Sequence, residues 1–125
     1  MPAREGHSTV SPYVMAKEAS RLIDFLDAVF GAEVLLRIDR DDGTIAHASV
    51  RIGDTVVMVS DGTDEYPAFP IWLHIYVDDA DATFQRALAN GGTAVAEPKD
   101  NPDGDRRGGV SDPAGNVWWI ASATA

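Results

Sequence analysis

The sequence predicts an α+β fold of two modules, each consisting of a strand, a helix and three further strands. The chain has 125 residues and a mass of 13.4 kDa, which suits one compact domain. The same order of elements occurs twice, and one fixed offset along the chain places Val14 on Ile75 and Ile23 on Phe84. We therefore expect a single domain over residues 1–125, with modules at about 10–60 and 71–123 and a linker at 61–70. The modules are expected to form a curled mixed sheet around a central cleft.

The first module is predicted from one helical stripe and four strand-like segments. Apolar side chains recur at helical spacing at Leu22, Ile23, Leu26, Val29 and Phe30. Gly31 follows this stripe, and glycine commonly ends a helix in the left-handed conformation. Strands are predicted over residues 10–15, 33–38, 44–52 and 55–60, with turns at Asp41-Asp42-Gly43 and Gly53-Asp54.

The second module repeats this order. A helix is predicted from the apolar positions Ala80, Phe84, Ala87 and Leu88, and Asn90-Gly91-Gly92 ends it. Strands are predicted over residues 71–77, 93–96, 107–111 and 117–122. Residues 97–105 are predicted to form a polar loop, and residues 112–115 a turn.

The charge balance excludes some classes of partner. Acidic residues outnumber basic ones by 20 to 10, so the net charge is −10 and the pI is about 4.4. Such a surface repels phosphate backbones and anionic lipids, so neither nucleic acid nor membranes are expected partners. It would attract a cationic small molecule, although acidity also serves solubility. The absence of cysteine and of a long apolar run favours a cytoplasmic protein.

Strand alternation collects aromatic and histidine side chains on one face of the sheet. In the strand over residues 71–77 the odd positions are aliphatic, whereas Trp72, His74 and Tyr76 occupy the opposite face. The offset between the modules places Tyr13 in register with His74, and His47 lies opposite the apolar face of its own strand. Amphipathic aromatics and histidines on a concave surface are typical of small-molecule sites.

The paired modules resemble the vicinal oxygen chelate superfamily of glyoxalases, extradiol dioxygenases and bleomycin-resistance proteins, and most closely its PhnB-like branch. The resemblance covers about residues 11–123. The stretches that carry it are Ser11-Pro12-Tyr13, Phe30-Gly31-Ala32-Glu33, Ile52-Gly53-Asp54-Thr55-Val56-Val57-Met58, Leu73-His74-Ile75-Tyr76-Val77, Gly104-Asp105-Arg106 and Asp112-Pro113-Ala114-Gly115-Asn116-Val117-Trp118. Asn116 departs from this branch, in which histidine is expected.

The resemblance also implies where a metal would be held. The metal-dependent members use histidine, glutamate and glutamine at four positions that fall here on Ser11, Met58, Trp72 and Trp119. None of these side chains suits a divalent metal that needs carboxylate or imidazole donors. We therefore expect no standard metal site and no cofactor. An atypical site that uses His47 and His74 is an alternative, although no third ligand is evident.

Three functions remain open from the sequence. The first is metal-independent binding of a small, cationic and aromatic molecule, a role that the acidic, dimeric and metal-free bleomycin-binding members suggest by analogy. The second is a glyoxalase-like isomerase, lyase or dioxygenase that uses His47 and His74, with His74 the first candidate for a general base. The third is a catalytically silent dimeric scaffold. The candidate ligand-binding residues are Tyr13, His47, Met58, Trp72, His74, Tyr76, Arg106 and Trp119.

Two further expectations concern the arginines and the assembly. Arg106 and Arg107 follow the polar loop, where either could bind an anionic group of a ligand or pair with the neighbouring aspartates.

A homodimer is expected because the fold leaves strand edges and a half-open cleft that a second subunit can close.

Overall fold

The computed structural model of the protein describes residues 3–123, which form two compact units, one extending to Phe69 and the other beginning at Pro70. The first unit contains β1 (Tyr13–Ala16), α1 (Ala19–Phe30), β2 (Glu33–Asp39), β3 (Ile45–Ile52) and β4 (Thr55–Asp61). Its sheet has the strand order β1-β4-β3-β2. β1 runs parallel to β4, whereas the other neighbours are antiparallel.

The second unit repeats the order of the first. It contains β5 (Trp72–Tyr76), α2 (Ala80–Ala89), β6 (Thr93–Asp100), β7 (Asp105–Ser111) and β8 (Val117–Ala123). Its sheet has the order β5-β8-β7-β6, again with a single parallel pair. The predicted α+β fold of two strand–helix–three-strand modules is confirmed.

Hydrogen bonds at the helix starts repeat at the same offset that relates the two modules in sequence. In the first unit the amide of Ala19 donates to Asp61 Oδ1 at 2.8 Å. In the second unit the amide of Ala80 donates to Ser122 Oγ at 3.2 Å. The last strand of each unit thus supplies a side-chain acceptor to an amide that the helix itself cannot satisfy. Asp61 also accepts the amide of Ile45 at 2.7 Å, which ties α1 to β3.

Each helix covers one face of its own sheet. The apolar stripe predicted for α1 is buried at Leu22, Ile23, Leu26 and Val29, and α1 packs against β1, β3 and β4. In the second unit, α2 buries Phe84 and Ala87 against β6, β7 and β8. The core role predicted for Trp118 is confirmed, since its side chain is buried with Val110 and Ile120. The opposite face of each sheet is free of its own helix.

Several predicted boundaries are wrong by a few residues. β1 begins at Tyr13 rather than at position 10. Residues 97–100 were expected in a loop, but they belong to β6, where Lys99 pairs with Arg107 and Asp100 with Arg106. The pairing with β7 overrides the low strand propensity of this polar segment, and Pro98 is tolerated because β6 is an edge strand with an irregular register. The residue with a left-handed backbone conformation after α2 is Gly91. The offset between the modules aligns Gly31 with Gly92, so this residue comes one position earlier than in the first unit.

Candidate functional site

A cavity of about 590 Å³ opens on the helix-free side of the first unit. Strands β1, β3 and β4 supply one part of its wall, and the rest comes from Arg40 in the turn between β2 and β3 and from the segment after β4. The lining residues are Tyr13, Met15, Arg40, Ala46, Ser60, Thr63, Glu65, Tyr66, Pro67 and Phe69. The wall therefore combines three aromatic rings with one cationic and one acidic side chain.

The segment over residues 62–69, predicted to be a linker, forms the outer wall of this cavity. It is fixed to β1 because Phe69 N donates to Met15 O at 3.2 Å and Gly62 N donates to Ala16 O at 2.9 Å. Within the segment, Tyr66 N donates to Thr63 Oγ1 at 2.9 Å. Gly62 is required where the segment folds back, since a Cβ there would lie 2.5 Å from Ala68 N.

A hydrogen-bonded group of four side chains begins in the cavity wall, which contains Tyr13 and Ser60, and continues to His47 and Ser49. Tyr13 Oη is 2.7 Å from Ser60 Oγ and 3.2 Å from His47 Nδ1. His47 Nε2 is 3.1 Å from Ser49 Oγ, and Ser60 Oγ donates to Ala46 O at 2.8 Å. Tyr13 and His47, both predicted site residues, are therefore brought together, and Tyr13 lines the cavity.

The other predicted residues of the first unit lie beside this group. Met58 is the strand partner of both Tyr13 and Ser49, so it shares their face, but it does not line the cavity. Ser11 precedes β1. The sequence prediction missed Arg40, Glu65, Tyr66 and Phe69. Two aromatic residues in an otherwise polar linker were the available signal for the last two.

Arg40 is held at the cavity by neutral acceptors. Its Nη1 donates to Thr44 Oγ1 at 3.1 Å and its Nη2 donates to the carbonyl oxygen of Asp61 at 3.3 Å. Within residues 3–123 no carboxylate forms an ion pair with its guanidinium. Some of the five guanidinium N–H donors thus remain for a ligand.

In the second unit the predicted residues Trp72, His74, Tyr76 and Trp119 gather on the helix-free face. The rings of Trp72 and Trp119 meet edge to face with centroids 5.3 Å apart. The rings of His74 and Tyr76 are arranged similarly at 4.9 Å. Trp72 and Tyr76 are exposed, whereas Trp119 is half-buried. These four residues form an aromatic surface of the second unit.

Arg107 organises the polar side of this aromatic surface. Its Nε donates to His74 Nε2 at 3.1 Å, and its Nη2 contacts Asp103 Oδ2 at 2.9 Å and Asp105 Oδ2 at 3.0 Å. Because a guanidinium can only donate, His74 Nε2 carries no proton in this arrangement and the ring proton lies on Nδ1. His74 Nε2 is therefore occupied, and a role as general base through this atom would require Arg107 to move away.

Hydrogen bonds shift the pKa values of two groups beside Arg107. Tyr76 Oη donates to Asp105 Oδ2 at 2.7 Å, and this hydrogen bond raises the pKa of Tyr76 above its ordinary value. The amide of Asp105 and the guanidinium of Arg107 both donate to Asp103, which lowers the pKa of that carboxyl. Tyr76 is thus kept protonated, and Asp103 ionised, over a wider pH range.

Arg106, predicted as a ligand contact, instead forms ion pairs on the helix side of the sheet. Its Nε and Nη2 donate to Asp81 of α2 at 2.6 and 3.0 Å, and its Nη1 contacts Asp100 at 3.3 Å. The paired hydrogen bonds lower the pKa of Asp81. It is Arg107, rather than Arg106, that contacts the aromatic surface, because neighbouring residues of a strand point to opposite faces.

Trp119 lies across the neighbouring strand at a glycine. Gly109 is its partner in β7, and a Cβ at Gly109 would be 2.7 Å from Trp119 Cζ3 and 2.9 Å from Cε3. The indole Nε1 is buried and has no hydrogen-bond partner among residues 3–123. A glycine at position 109 is therefore a steric requirement of the aromatic surface.

Asn116, where a histidine was expected, has a structural role. Its side chain is buried, its Oδ1 accepts the amide of Ile71 at 3.0 Å, and its Nδ2 donates to Asp112 Oδ2 at 3.1 Å. Asn116 thus connects the turn before β8 to the start of β5.

The residues at the expected metal positions do not fit a metal ion. The indole rings of Trp72 and Trp119 offer no lone pair to a metal, and Met58 and Ser11 supply only a thioether and a hydroxyl. No cluster of three His, Asp or Glu side chains with a metal-binding arrangement is found in the described part of the chain. The ring nitrogens of His47 are engaged by Tyr13 and Ser49.

No helix within residues 3–123 is long and apolar enough to cross a membrane.

The structure defines a protein of paired βαβββ modules, with a cavity in the first unit. Residues 7–120 match the Glyoxalase/Bleomycin resistance protein/Dioxygenase superfamily, and the chain belongs to this superfamily. The protein Rv0887c from Mycobacterium tuberculosis (strain ATCC 25618 / H37Rv) is 38% identical over 120 residues, which cover 87% of this chain and 71% of that protein.

Solved structures show the same fold. TioX from Micromonospora sp. ML1 superimposes with a TM-score of 0.73 and 29% identity, covering 94% of this chain and 98% of that chain. The PhnB protein from Bacillus cereus gives a TM-score of 0.75 at 19% identity, covering 93% and 100%. TnmS3 from Streptomyces sp. CB03234, an antibiotic-binding protein, gives 0.71 at 24% identity, covering 94% and 100%. The resemblance to the PhnB-like branch is thereby confirmed at the level of the fold.

Proposed function

We propose that the protein binds a small aromatic cation in the cavity of the first unit and does so without a metal. The observation that carries this proposal is the composition of the wall, where Tyr13, Tyr66 and Phe69 surround a space that also contains Glu65. A volume of about 590 Å³ lies within the range of about 300–1,000 Å³ that drug-sized ligands occupy. The fold of TnmS3 is compatible with such a role.

The electrostatics favour a cationic ligand. Aromatic faces attract cations, and the Glu65 carboxylate adds a full negative charge at the same wall. The net charge of −10 raises the local concentration of cations around the whole protein. Arg40 supplies the opposite charge, so a ligand that also carries an acceptor or anionic group can bind Arg40 as well.

The aromatic surface of the second unit is proposed as a further set of ligand contacts. Trp72 and Tyr76 are exposed and can stack on a flat molecule, whereas Trp119 and His74 support them from the same face. Arg106 is assigned no ligand contact, because Asp81 and Asp100 occupy its guanidinium.

Isothermal titration calorimetry with (naphthalen-2-ylmethyl)ammonium tests the proposal. We expect Phe69→Ala to weaken binding about tenfold, because an aromatic contact surface is lost. Glu65→Gln should also weaken binding, whereas Glu97→Gln makes the same charge change on an exposed residue that does not line the cavity and should leave binding unaltered. Equal affinities for the wild type and Phe69→Ala would contradict the proposal.

We also propose that the protein forms a homodimer. The edge strand β2 is unpaired on one side, and its apolar residues Val34, Leu36 and Ile38 are exposed. Sedimentation velocity should give twice the 13.4 kDa mass of the chain, whereas a sharp monomer peak at micromolar concentration would contradict this assembly.

A further inference from the structure

The contacts of Ser60 determine where the proton of the Tyr13 hydroxyl lies. Ser60 Oγ is 2.8 Å from Ala46 O and 2.7 Å from Tyr13 Oη. A carbonyl oxygen can only accept, so Ser60 gives its single proton to Ala46. The Tyr13 hydroxyl must then be the donor in its bond to Ser60. Tyr13 consequently has no hydroxyl proton left for a molecule in the cavity.

The direction of the Tyr13 proton also fixes the position of the proton on the neutral His47 ring. Since the proton of Tyr13 is directed to Ser60, the contact of 3.2 Å between Tyr13 Oη and His47 Nδ1 requires an Nδ1–H donor. In the neutral ring Nε2 then accepts from Ser49 Oγ at 3.1 Å. The hydrogen bonds run in one direction from Ser49 through His47 and Tyr13 to Ser60. With a neutral ring, this is the proton assignment that satisfies all four hydrogen bonds at once, two at the ring and the two of Ser60 to Tyr13 and Ala46.

We infer that this directed chain leaves the Tyr13 oxygen, which already accepts from His47 Nδ1, with only a remaining lone pair to offer the cavity, so that the cavity selects aromatic ligands with an N–H donor. The inference rests on the proposed function and narrows its ligand class from cations in general to protonated amines. A quaternary ammonium has the same charge but no N–H to give to Tyr13. Glu65, the acidic residue of the same wall, is also an acceptor and favours the same class.

Ser60 is the residue that sets this specificity, although Tyr13 contacts the ligand. Ser60 also lines the cavity, but it is only 2% exposed and its proton is given to Ala46, so it acts by holding the proton of Tyr13 away from the cavity. Ser49 provides a matched control, because it is equally buried at 3% exposure and bonds to the other end of His47 without lining the cavity. Loss of the Ser49 hydroxyl leaves the Nδ1–H of the neutral ring directed at Tyr13.

The experiment compares two probes of equal charge by calorimetry, (naphthalen-2-ylmethyl)ammonium and its N,N,N-trimethyl derivative. We expect the wild type to prefer the primary ammonium by about tenfold, the size of one hydrogen bond to a charged donor. Tyr13→Phe should reduce this preference to the part that Glu65 contributes, and Ser60→Ala should reduce it severalfold, whereas Ser49→Ala should retain it. The melting temperature of each variant establishes that it is folded.

The outcomes separate the two proposals. If both probes bind but their affinity ratio is the same in the wild type, Tyr13→Phe and Ser60→Ala, the inference is overturned and the proposed function stands. If neither probe binds the wild type, the proposed function fails and the inference fails with it. A preference that Ser49→Ala removes as completely as Ser60→Ala does would also overturn the role assigned to Ser60.

Discussion

Replacement of Asp112 by alanine is expected to lower the free energy of unfolding by about 3–5 kcal/mol. The carboxylate is buried and accepts hydrogen bonds from four N–H donor groups. Oδ1 accepts from the amides of Ala114 and Asn116 at 2.8 and 3.1 Å, and Oδ2 accepts from Asn116 Nδ2 at 3.1 Å and Trp118 Nε1 at 2.8 Å. Alanine leaves these donors without their acceptor inside the second unit, which is the costly way to remove a hydrogen bond.

Urea unfolding followed by tryptophan fluorescence measures this loss, since Trp118 is itself a donor to Asp112. Asp112→Asn should lower the free energy of unfolding by an intermediate amount. Asparagine keeps one acceptor oxygen, but its NH₂ group faces N–H donors. Asp41→Ala, at an exposed turn aspartate of the first unit, should change stability by less than about 0.5 kcal/mol. A loss of less than about 1 kcal/mol for Asp112→Ala would show that the turn is not held in this way.

Gly109→Ala is expected to destabilise the protein by about 2–3 kcal/mol and to displace Trp119. The added methyl group would stand 2.7 Å from Trp119 Cζ3, closer than packed carbon atoms approach, so the indole must move or β7 must shift. The ring of Trp72, 5.3 Å from that of Trp119, would lose its edge-to-face partner as a consequence.

A double-mutant cycle isolates this contact from other effects of the substitution. In the background of Trp119→Ala the same Gly109→Ala change should cost little, since the space above the strand is then open. Ser111→Ala, on the same strand, controls for a small change in β7. If Gly109→Ala lowered the free energy of unfolding equally in the wild type and in Trp119→Ala, a clash with the indole could not be the cause.

Much of the fold follows from local pattern. The stripe from Leu22 to Phe30 predicts α1 because its period matches the helix, and the fixed offset between the modules predicts the second unit from the first. The offset extends to individual bonds, since Ala19 and Ala80 are both held by the last strand of their unit. The second half of β6 could not be predicted, because its strand conformation comes from pairing with β7 rather than from its own residues.

The candidate site was predictable only where it lies on strands. Alternation finds Tyr13 and His47, because strand geometry fixes which face a side chain occupies. Arg40, Tyr66 and Phe69 lie outside the strands, where no periodicity indicates direction, so their place in the cavity wall depends on the path of the chain. Whether Arg106 or Arg107 lies on the face of the aromatic surface depends on where β7 starts and how it pairs with its neighbours. The sequence does not reveal the irregular pairing of β7 with β6. The shared cleft of the two modules stays a prediction.

The cavity of the first unit is proposed to be the ligand site of the protein. A ¹⁵N–¹H correlation titration of the full chain with (naphthalen-2-ylmethyl)ammonium tests this claim most directly, because it reports position as well as affinity. The largest saturable shifts are predicted at the amides of Tyr13, Ser60, Tyr66 and Phe69. Saturable shifts confined to residues away from this wall, or no saturable shift at millimolar probe, would contradict it.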